Sequence, residues 1–347
     1  MLDSLSVELK NSLEDIVNKI AIGDNFQISH QDYHPVAVSS EMVAKLQRLP
    51  VDFQKQYLAR QLRNYLADIY FRGCLRPVNL ELNSNNLPLA NNSIKGVDRD
   101  FYEQLETNNY GTGYFDLGWL VIKEKDDSLA VKKNELTLQI QRDRHLQKSD
   151  FQATVNDTVA IKLPNNSWQD EFYVAVSNSG LVEANSQQQA IEIYFNINLE
   201  GAIILLREVT QQLNERKIVF TLKILDDPND YPCYDAAILI IYREDYLKVY
   251  ELIKNIYPNL ISYLNKATPI CTFKLADGIA LAEVTEKGFA NICCGAIAQG
   301  LLTAWYEKDN SPRNRIKYIS EELSLAKINL QHPYLNNNCD RFYQPLT

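Results

Sequence analysis

The stretch AIEIYFNINLEGAIILLREVTQQLNERKIVFTLKIL (residues 190–225) contains the change of hydrophobic period that decides the fold. It begins with a strand-like run at 190–197, continues with an apolar helical run at 200–217, and ends with a second strand-like run at 218–225. Strands and helices that alternate along a chain predict helices packed on a sheet. We therefore predict an α+β fold, with a mixed sheet in the C-terminal half.

The same alternation continues beyond this stretch. Strand patterns at 236–242 and 272–284 flank a helical pattern at 245–264, and two further helical patterns follow at 288–306 and 316–328. The sequence shows no internal repeat at periods of about 20 to 50 residues, so a repeat architecture is excluded.

The N-terminal region predicts two helices. Apolar residues recur at helical spacing over residues 5–20, after Asp3 and Ser4, which can cap a helix. A second amphipathic pattern covers residues 53–73 and ends on a glycine.

Irregular and strand-like segments follow these helices. Residues 25–40 predict a loop, and residues 75–98, rich in Asn, Pro and Ser, predict a linker. Three short alternating runs within 111–140 predict a meander, to which 157–164 and 171–178 add strands. We expect these strands to form a small, strongly bent sheet or barrel.

Two structural units are predicted from this pattern. Residues 1–180 form a helical and small-sheet unit, and residues 181–347 form the α+β unit. Asp116 and Trp119 anchor the junction in one interpretation, because a buried Trp supplies a large apolar area and its N–H needs a partner. In the alternative, Trp119 fills the core of the small sheet itself.

Composition and charge limit the classes of partner. The chain has 347 residues, of which 46% are hydrophobic, and a net charge of −9. Its summed field repels nucleic acid and anionic membranes, so a phosphate-bearing ligand needs a local positive patch. The N-terminus shows no basic region followed by an unbroken apolar run, and we predict a cytoplasmic protein.

Common catalytic and metal-binding motifs are absent from the sequence. It contains no P-loop, no GxGxxG after a strand, no HExxH and no GxSxG. His30 and His34 lie four residues apart, but Pro35 follows them in a predicted loop, which argues against a metal-binding pair. No cysteine pair has CxxC spacing, so structural thiols in a reducing compartment are favoured over zinc or disulfides. The cysteines are Cys74, Cys233, Cys271, Cys293, Cys294 and Cys339.

Two lysines lie inside strand-like runs. Lys223 has Leu222 and Ile224 as neighbours, and Lys274 lies between Phe273 and Leu275 in the sequence. Such a lysine either points to solvent or lines a cleft. In a cleft, partial burial lowers the pKa of a lysine towards the range of a general base.

Several motifs in this order resemble the HopA-type effector family. They are GTGYFDLGW (111–119), FYVAVSNSG (172–180), EIYFNINLEGAIILLREVTQQLN (192–214), FTLKILDDPNDYPCYDAAILII (220–241), KLADGIALAEV (274–284) and QHPYLN (331–336). The resemblance extends over about residues 100–340. The family takes its name from a type III secretion effector of plant-pathogenic bacteria, and its members include lyase partners of an aminoglycoside-kinase-like enzyme in peptide modification.

The resemblance implies a phosphothreonine-lyase-like β-elimination that needs no cofactor and no metal. A kinase-like partner phosphorylates Ser or Thr of a precursor peptide, and the lyase expels the phosphate to leave a dehydroamino acid. By this resemblance Lys223 is the base, Tyr194 or Tyr234 donates a proton to the departing oxygen, and Asp235 orients these groups.

The same resemblance assigns residues to the substrate. Lys274 is expected to contact the phosphate, and Asn196 to orient the reacting groups. Phe289 and Asn291 follow the KLADGIALAEV motif and are expected to line the cleft.

Three positions depart from the family pattern. Glu192, Cys233 and Cys293 stand where arginines are expected. An arginine binds phosphate through a bidentate fork, and losing one such cation from a desolvated site costs about 2–5 kcal/mol. The alternative is therefore a non-catalytic relative that binds a peptide or a kinase-like protein. A third interpretation is a stand-alone effector or toxin-like protein.

Overall fold

The computed structural model of the chain describes residues 5–75, 93–94, 97–169, 171–183, 188–285, 288–336 and 342–346. Its α-helices are α1 (Val7–Lys19), α2 (Ser40–Gln47), α3 (Val51–Leu66), α4 (Arg99–Asn108), α5 (Arg142–His145), α6 (Leu199–Glu215), α7 (Tyr246–Leu260), α8 (Phe289–Tyr306) and α9 (Pro312–Leu325). Within these ranges, no helix combines the length and the apolar character needed to cross a membrane.

The described strands belong to sheets of three, two, four and seven strands. The first two sheets contain β1 (Ile20–Ile22), β2 (Ile28–His30) and β3 (Tyr33–Val36), then β4 (Ser93–Ile94) and β5 (Val97–Asp98). The four-stranded sheet contains β6 (Tyr114–Lys125), β7 (Ser128–Lys133), β8 (Leu136–Gln141) and β9 (Thr158–Leu163). The seven-stranded sheet contains β10 (Asn166–Gln169), β11 (Phe172–Val176), β12 (Ala190–Phe195), β13 (Phe220–Leu225), β14 (Ala237–Tyr242), β15 (Phe273–Ala276) and β16 (Ile279–Glu283).

The predicted α+β class is confirmed, with one correction to the sheet. Its strand order is β10-β11-β13-β14-β12-β16-β15, and each described pair of neighbours is antiparallel, whereas the sequence predicts a mixed sheet. The helix α6 joins β12 to β13, which run in the same direction, but β14 lies between them. This is the arrangement of a split βαβ unit, in which the parallel strands are not neighbours.

Helices cover both faces of the seven-stranded sheet. Phe195, Leu222 and Leu239 are fully buried on the face that packs against α6 and α7. The opposite face, which carries Tyr194 and Ala282, packs against α3, α8 and other N-terminal and C-terminal elements. The nearly continuous apolar run of β13 follows from this double cover. The helix α8 is apolar around most of its circumference because it lies between the sheet, α3 and α9.

The N-terminal helices are confirmed, with changes at their ends. The side chain of Ser6 caps α1 by accepting a hydrogen bond from the Leu9 N–H at 3.3 Å, while Asp3 and Ser4 lie outside the described residues. The second helix is α3, which continues into a π-type turn at Ala67–Phe71. The loop predicted at residues 25–40 is wrong in part, because β2 and β3 form there. They are too short to produce a clear alternating pattern. Most of the linker predicted at 75–98 lies outside the described residues.

The four-stranded sheet has the order β8-β7-β6-β9, so the predicted meander is confirmed. The strand predicted at 157–164 is β9 of this sheet, but the strand predicted at 171–178 is β11 of the seven-stranded sheet. Residues 173–176 are all buried, so both faces of this strand are covered. The four-stranded sheet has a packed core on one face only and could not bury the strand on both sides.

Trp119 lies in the core of the four-stranded sheet and is 3% exposed. Its indole N–H donates to Asp116 at 2.6 Å, and Lys133 of the same sheet contacts Asp116 at 2.8 Å. The core-filling interpretation is therefore confirmed, and the junction role is wrong. The division of the chain near residue 180 stays a prediction.

One buried cation joins the two ends of the described chain. The Arg315 guanidinium of α9 donates to the carbonyl oxygens of Val17 and Ile20 at 2.9 and 2.8 Å. These carbonyls lie at the C-terminal end of α1, where helical carbonyls lack intrahelical partners. Arg315 therefore caps a helix that lies 298 positions away in sequence.

The close approach of α8 and α9 gives a stability prediction. A Cβ added at Gly300 would lie 2.5 Å from the Ile319 backbone, so Gly300→Ala should destabilise the protein by about 1–3 kcal/mol. Gly295 of the same helix is the control, because an added Cβ there first meets the Arg63 side chain at 3.7 Å. Gly295→Ala should stabilise α8 by about 0.5–1 kcal/mol. Urea denaturation of both variants checks this, and equal effects would contradict the packing argument.

Candidate functional site

A row of side chains crosses the sheet on the face that α8 covers. In the ladder register, Lys223 lies opposite Ile238, Ile238 opposite Tyr194, Tyr194 opposite Ala280, and Ala280 opposite Lys274. Neighbouring strands lie about 4.8 Å apart, so Lys223 and Lys274 are separated by about 19 Å. The structure therefore brings Tyr194 and Lys223 to one region and does not bring the two lysines together.

Tyr194, at the centre of this row, forms a polar pair with the half-buried Glu192. Tyr194 is 2% exposed, and its hydroxyl donates a short hydrogen bond to the Glu192 carboxylate. Burial raises the pKa of Glu192, while the Tyr194 hydrogen bond and the positive charge of Lys223 oppose this effect. Lys223 thus has an acidic neighbour in Glu192, and its role as a base stays a prediction.

Aromatic side chains cover Tyr194. Phe71, from the turn after α3, makes an edge-to-face contact with the Tyr194 ring at a centroid distance of 5.4 Å. Phe289, at the start of α8, lies 6.2 Å from Phe71 and is 4% exposed. Phe289, expected to line a substrate cleft, is thus placed in the wall over Tyr194.

Asp235 lies in the turn just before β14, beside a cation that the sequence patterns do not reveal. Its Oδ2 is 3.7 Å from Nε of Arg72, which also pairs with Glu171 at 2.9 Å. Burial raises the pKa of Asp235 to about 7, and Arg72 opposes this rise. Its buried Oδ1 has no hydrogen-bond partner within the described part of the chain. Arg72 gives no sequence signal, because it follows a helix end and its partners lie far away in the chain.

Tyr234 and Asp235 both lie beside Arg72. The Tyr234 N–H donates to the Arg72 carbonyl oxygen at 2.6 Å, and its half-buried ring packs over Gly73. The negative charge of Asp235 contributes to the raised pKa of Tyr194 after burial and Glu192. Three of the four predicted catalytic residues are therefore coupled electrostatically around one pair. Tyr194 belongs to the Tyr194–Glu192 pair, Lys223 acts on Glu192, and Asp235 acts on Tyr194.

Acidic groups outnumber cations among the charged residues described here. The carboxylates include Asp68, Glu171, Glu192 and Asp235, and the cations include Arg72 and Lys223. Such a balance repels a phosphate dianion.

Two of the three departures from the family pattern are buried thiols. Cys233 and Cys293 are both fully buried. The Cys233 thiol donates to the Asp230 carbonyl oxygen at 2.9 Å, and Cys293 contacts the thiol of Cys271. Neither side chain supplies positive charge to the Tyr194 region.

Lys274 lies away from the Tyr194 region, on β15, where it lines a groove. It pairs with Asp277 at 2.8 Å and with Glu8 at 3.7 Å, and Asp277 raises the pKa of Lys274. Two carboxylates therefore offset its charge. The groove has a volume of about 650 Å³, and its wall includes Leu9, Tyr257, Ile270, Phe273, Tyr334 and Pro345.

The same groove contains the edge of the seven-stranded sheet. β15 is the last strand of the sheet order, and the whole strand lines the groove. The Leu346 N–H donates to the Leu275 carbonyl oxygen at 2.7 Å. The C-terminal segment 342–346 therefore already adds one backbone hydrogen bond to this edge.

The remaining predicted substrate residues lie elsewhere. The side-chain amide of buried Asn196 donates to the Ala267 carbonyl oxygen at 2.9 Å, and its oxygen accepts from Asn265 at 3.1 Å. Asn291 is exposed on the first turn of α8 and lines a separate groove of about 430 Å³ with Arg63. The structure thus disperses the predicted substrate residues over several regions.

His30, considered for a metal pair with His34, is part of a hydrogen-bonded cluster. Its Nε2 lies 3.2 Å from the Asp15 carboxylate and 2.9 Å from the Tyr70 hydroxyl. Asp15, His30 and Asp32 offer ligand atoms within 4.8 Å of one another, but the Lys19 ammonium contacts both carboxylates at 2.6 Å. Lys19 thus already supplies a cation to this cluster.

The model of the HopA1 effector protein family matches residues 163–335, which contain the whole seven-stranded sheet and α6 to α9. This region of the chain is similar to the HopA1 effector protein family. The family expectation drawn from the sequence motifs is confirmed at this level.

Solved structures of similar proteins include two effectors. The effector protein from Pseudomonas syringae pv. tomato strain DC3000 has 14% identity and a TM-score of 0.42, covering 69% of this chain and 81% of its own. The effector protein from Pseudomonas syringae pv. syringae strain 61 has 13% identity and a TM-score of 0.41, covering 68% and 80%. No curated protein matched the chain significantly.

The pair of Tyr194 and Glu192 gives a double-mutant prediction. Tyr194→Phe should destabilise the protein by about 1–3 kcal/mol, because it leaves the partly buried Glu192 carboxyl without its donor. Glu192→Met should also destabilise it, but the double variant should lose less than the sum of the two. Thermal or urea unfolding of the three variants measures the coupling, and strictly additive losses would show that the two side chains act independently.

Asp235 gives a prediction for pH dependence. Its folded-state pKa of about 7 lies above the ordinary 3.8, so between these values the folded protein binds more protons than the unfolded chain. The parent should therefore lose stability as pH rises from about 4 to 7, relative to Asp235→Asn, by up to about 1.4 kcal/mol per pH unit. Urea denaturation at several pH values measures the difference, and parallel curves for parent and variant would contradict it.

Proposed function

We propose that the chain binds an extended peptide in the groove beside β15 and acts as a non-catalytic member of the HopA1 effector family. The observation that carries this proposal is the position of β15 at the sheet edge, along an apolar groove of about 650 Å³. An edge strand presents backbone N–H and C=O groups to which an extended peptide can add as a further strand. The hydrogen bond from Leu346 to Leu275 supports the ability of this edge to pair with an added backbone segment.

The side chains around the groove favour a particular peptide chemistry. The rings of Phe273 and Tyr334 contact each other in a tilted arrangement, at a centroid distance of 4.9 Å, and give an aromatic surface for apolar side chains. Glu8 and Asp277 exceed the single cation Lys274 by one charge within the groove lining. A peptide that carries apolar residues and a lysine or arginine therefore fits better than a phosphopeptide.

The charges around Tyr194 support a binding role over elimination. The phosphate of a substrate would meet Glu192 and Asp235 there, and Lys274 lies about 19 Å from Lys223 along the row. A desolvated phosphate without compensating cations is costly.

Phosphate elimination is the second candidate function. Lys223, Tyr194 and Asp235 act on one region of the sheet, which favours it. In that reaction a base removes the Cα proton, the released electron pair forms the Cα=Cβ bond, and phosphate leaves with the electrons of the Cβ–O bond. This candidate requires a peptide phosphorylated beforehand, hence a kinase-like partner.

The experiment for this proposal compares one peptide in two forms. Selection from a phage-displayed library of unstructured peptides supplies a binder, which is synthesised with threonine and with phosphothreonine. Fluorescence anisotropy should show tighter binding of the unphosphorylated form. Asp277→Lys should weaken a cationic binder by about tenfold at low salt, and the effect should shrink as salt is added. Glu135→Lys, on an exposed turn of the four-stranded sheet, is the charge-matched control and should leave binding unchanged.

Mass spectrometry of the phosphopeptide after incubation separates the two candidates. An unchanged mass supports the binding role. Loss of the elements of phosphoric acid, abolished by Lys223→Met, would establish elimination and overturn the proposal. Peptide binding that is unaffected by Asp277→Lys would show that the peptide binds outside the β15 groove.

A further inference from the structure

The structure contains two pairs of cysteines whose thiols contact each other, although no pair is close in sequence. Cys74 follows the π-type turn after α3, and its thiol is hydrogen-bonded with that of Cys233, just before β14. Cys271, before β15, makes the same kind of contact with Cys293 of α8. In the first pair, the backbone hydrogen bond from the Tyr234 N–H to the Arg72 carbonyl oxygen, at 2.6 Å, holds the two chain segments together, so the fold keeps Cys74 and Cys233 side by side.

The two pairs differ in access and in charge. Cys74 is half-buried, and its thiol also approaches the Asp68 carbonyl oxygen at 3.7 Å. The hydrogen bond with Cys233 and the positive charge of Arg72 lower the pKa of Cys74 against the opposing effect of burial. Cys271 and Cys293 are 3% and 0% exposed, and burial raises the pKa of Cys293. A thiolate in contact with solvent and a cation is the reactive form of cysteine, whereas a thiol in an apolar core is inert.

We propose that Cys74 and Cys233 are an oxidative modification site, at which a hydroperoxide converts the two thiols into an intrachain disulfide. This oxidation is independent of the proposed peptide binding. Cys74 is the attacking residue because it is the accessible member of the pair. Cys233 is the resolving residue because it is fully buried and its thiol faces Cys74.

The reaction balances with hydrogen peroxide as the oxidant. The Cys74 thiolate attacks one peroxide oxygen, the O–O bond breaks, and Cys74 becomes a sulfenic acid as the other oxygen leaves, with a proton, as water. The Cys233 sulfur then attacks the Cys74 sulfur, the S–O bond breaks, and the hydroxide leaves with the Cys233 proton as a second water. Two thiols are oxidised by two electrons in total, and one peroxide is reduced to two waters.

The new bond would join the end of the α3 segment to the start of β14, between Arg72 and Asp235. A cross-link between such distant positions constrains the unfolded chain, so the oxidised protein should have a higher Tm. The other pair provides an internal comparison in the same molecule.

The test treats the full chain with hydrogen peroxide at neutral pH, blocks the remaining thiols with iodoacetamide, and maps the digest by mass spectrometry without reduction. The expected product is one cross-linked peptide pair that contains Cys74 and Cys233 and is reversed by dithiothreitol. Before oxidation, Cys74 should be alkylated at least about tenfold faster than Cys293 or Cys294 in the folded protein. The Tm should rise on oxidation in the parent and stay unchanged in Cys74→Ser.

Single cysteine-to-serine variants identify the two residues that form the disulfide. Cys74→Ser replaces a half-buried residue and should abolish the cross-link, whereas Cys293→Ser should retain it. In Cys233→Ser, dimedone should trap the Cys74 sulfenic acid that is no longer resolved. Because Cys339 lies outside the described residues, all variants carry Cys339→Ser, and the parent is compared with and without it. A cross-link between Cys271 and Cys293, a cross-link to Cys339, or unreacted Cys74 would each overturn the proposal.

Discussion

The insertion of β14 between β12 and β13 is the constraint on which the candidate site depends. Once β14 lies there, the antiparallel ladders fix which residues face each other, with Tyr194 near the middle of the sheet and Lys274 at its edge. Side chains alternate between the two faces, so a slip of β12 by one residue would turn Glu192 and Tyr194 towards α6 and α7. The register thus determines both the polar pair at the centre and the wide separation of the two lysines.

Burial on both faces explains the chemistry at the positions that depart from the family pattern. Burying a carboxylate or an arginine without a partner lowers the stability of the fold by roughly several kcal/mol, because the ion loses its hydration. Here Glu192 has the Tyr194 hydroxyl, and Cys233 and Cys293 are uncharged thiols in a packed interior. The three residues therefore form a consistent set. They suit a filled, weakly acidic interior rather than a pocket for an anion.

The sequence predicted the parts of the fold that local periodicity determines. The helix at 200–217 and the strand at 218–225 carry the periods of their elements, and both were found close to the expected bounds. Pairing was not predictable in the same way, because the neighbours of a strand depend on contacts between distant segments. The run at 171–178 was thus recognised as a strand but assigned to the wrong sheet.

Site residues were predictable to a similar extent. The neighbours of Lys223 in sequence showed that it alternates with core residues, but they carried no information about Glu192, which lies two strands away. Arg72 contacts Glu171 and Asp235 only because the end of α3 folds against the sheet. Asn196 belongs to a motif that matches the family, but it is buried in the structure. Its side-chain amide is hydrogen-bonded to Ala267 and Asn265 of the neighbouring loop and is not open to a ligand.

The contact between Arg315 and the end of α1 has a consequence for synthesis of the chain. A ribosome releases α1 and α3 long before it has made α8 and α9, on which their apolar faces pack. During that interval these faces have no intramolecular cover from their native partners, and contacts of such large sequence separation form late and slowly. Nascent chains of this protein should therefore need the protection of a holding chaperone until residue 315 leaves the exit tunnel.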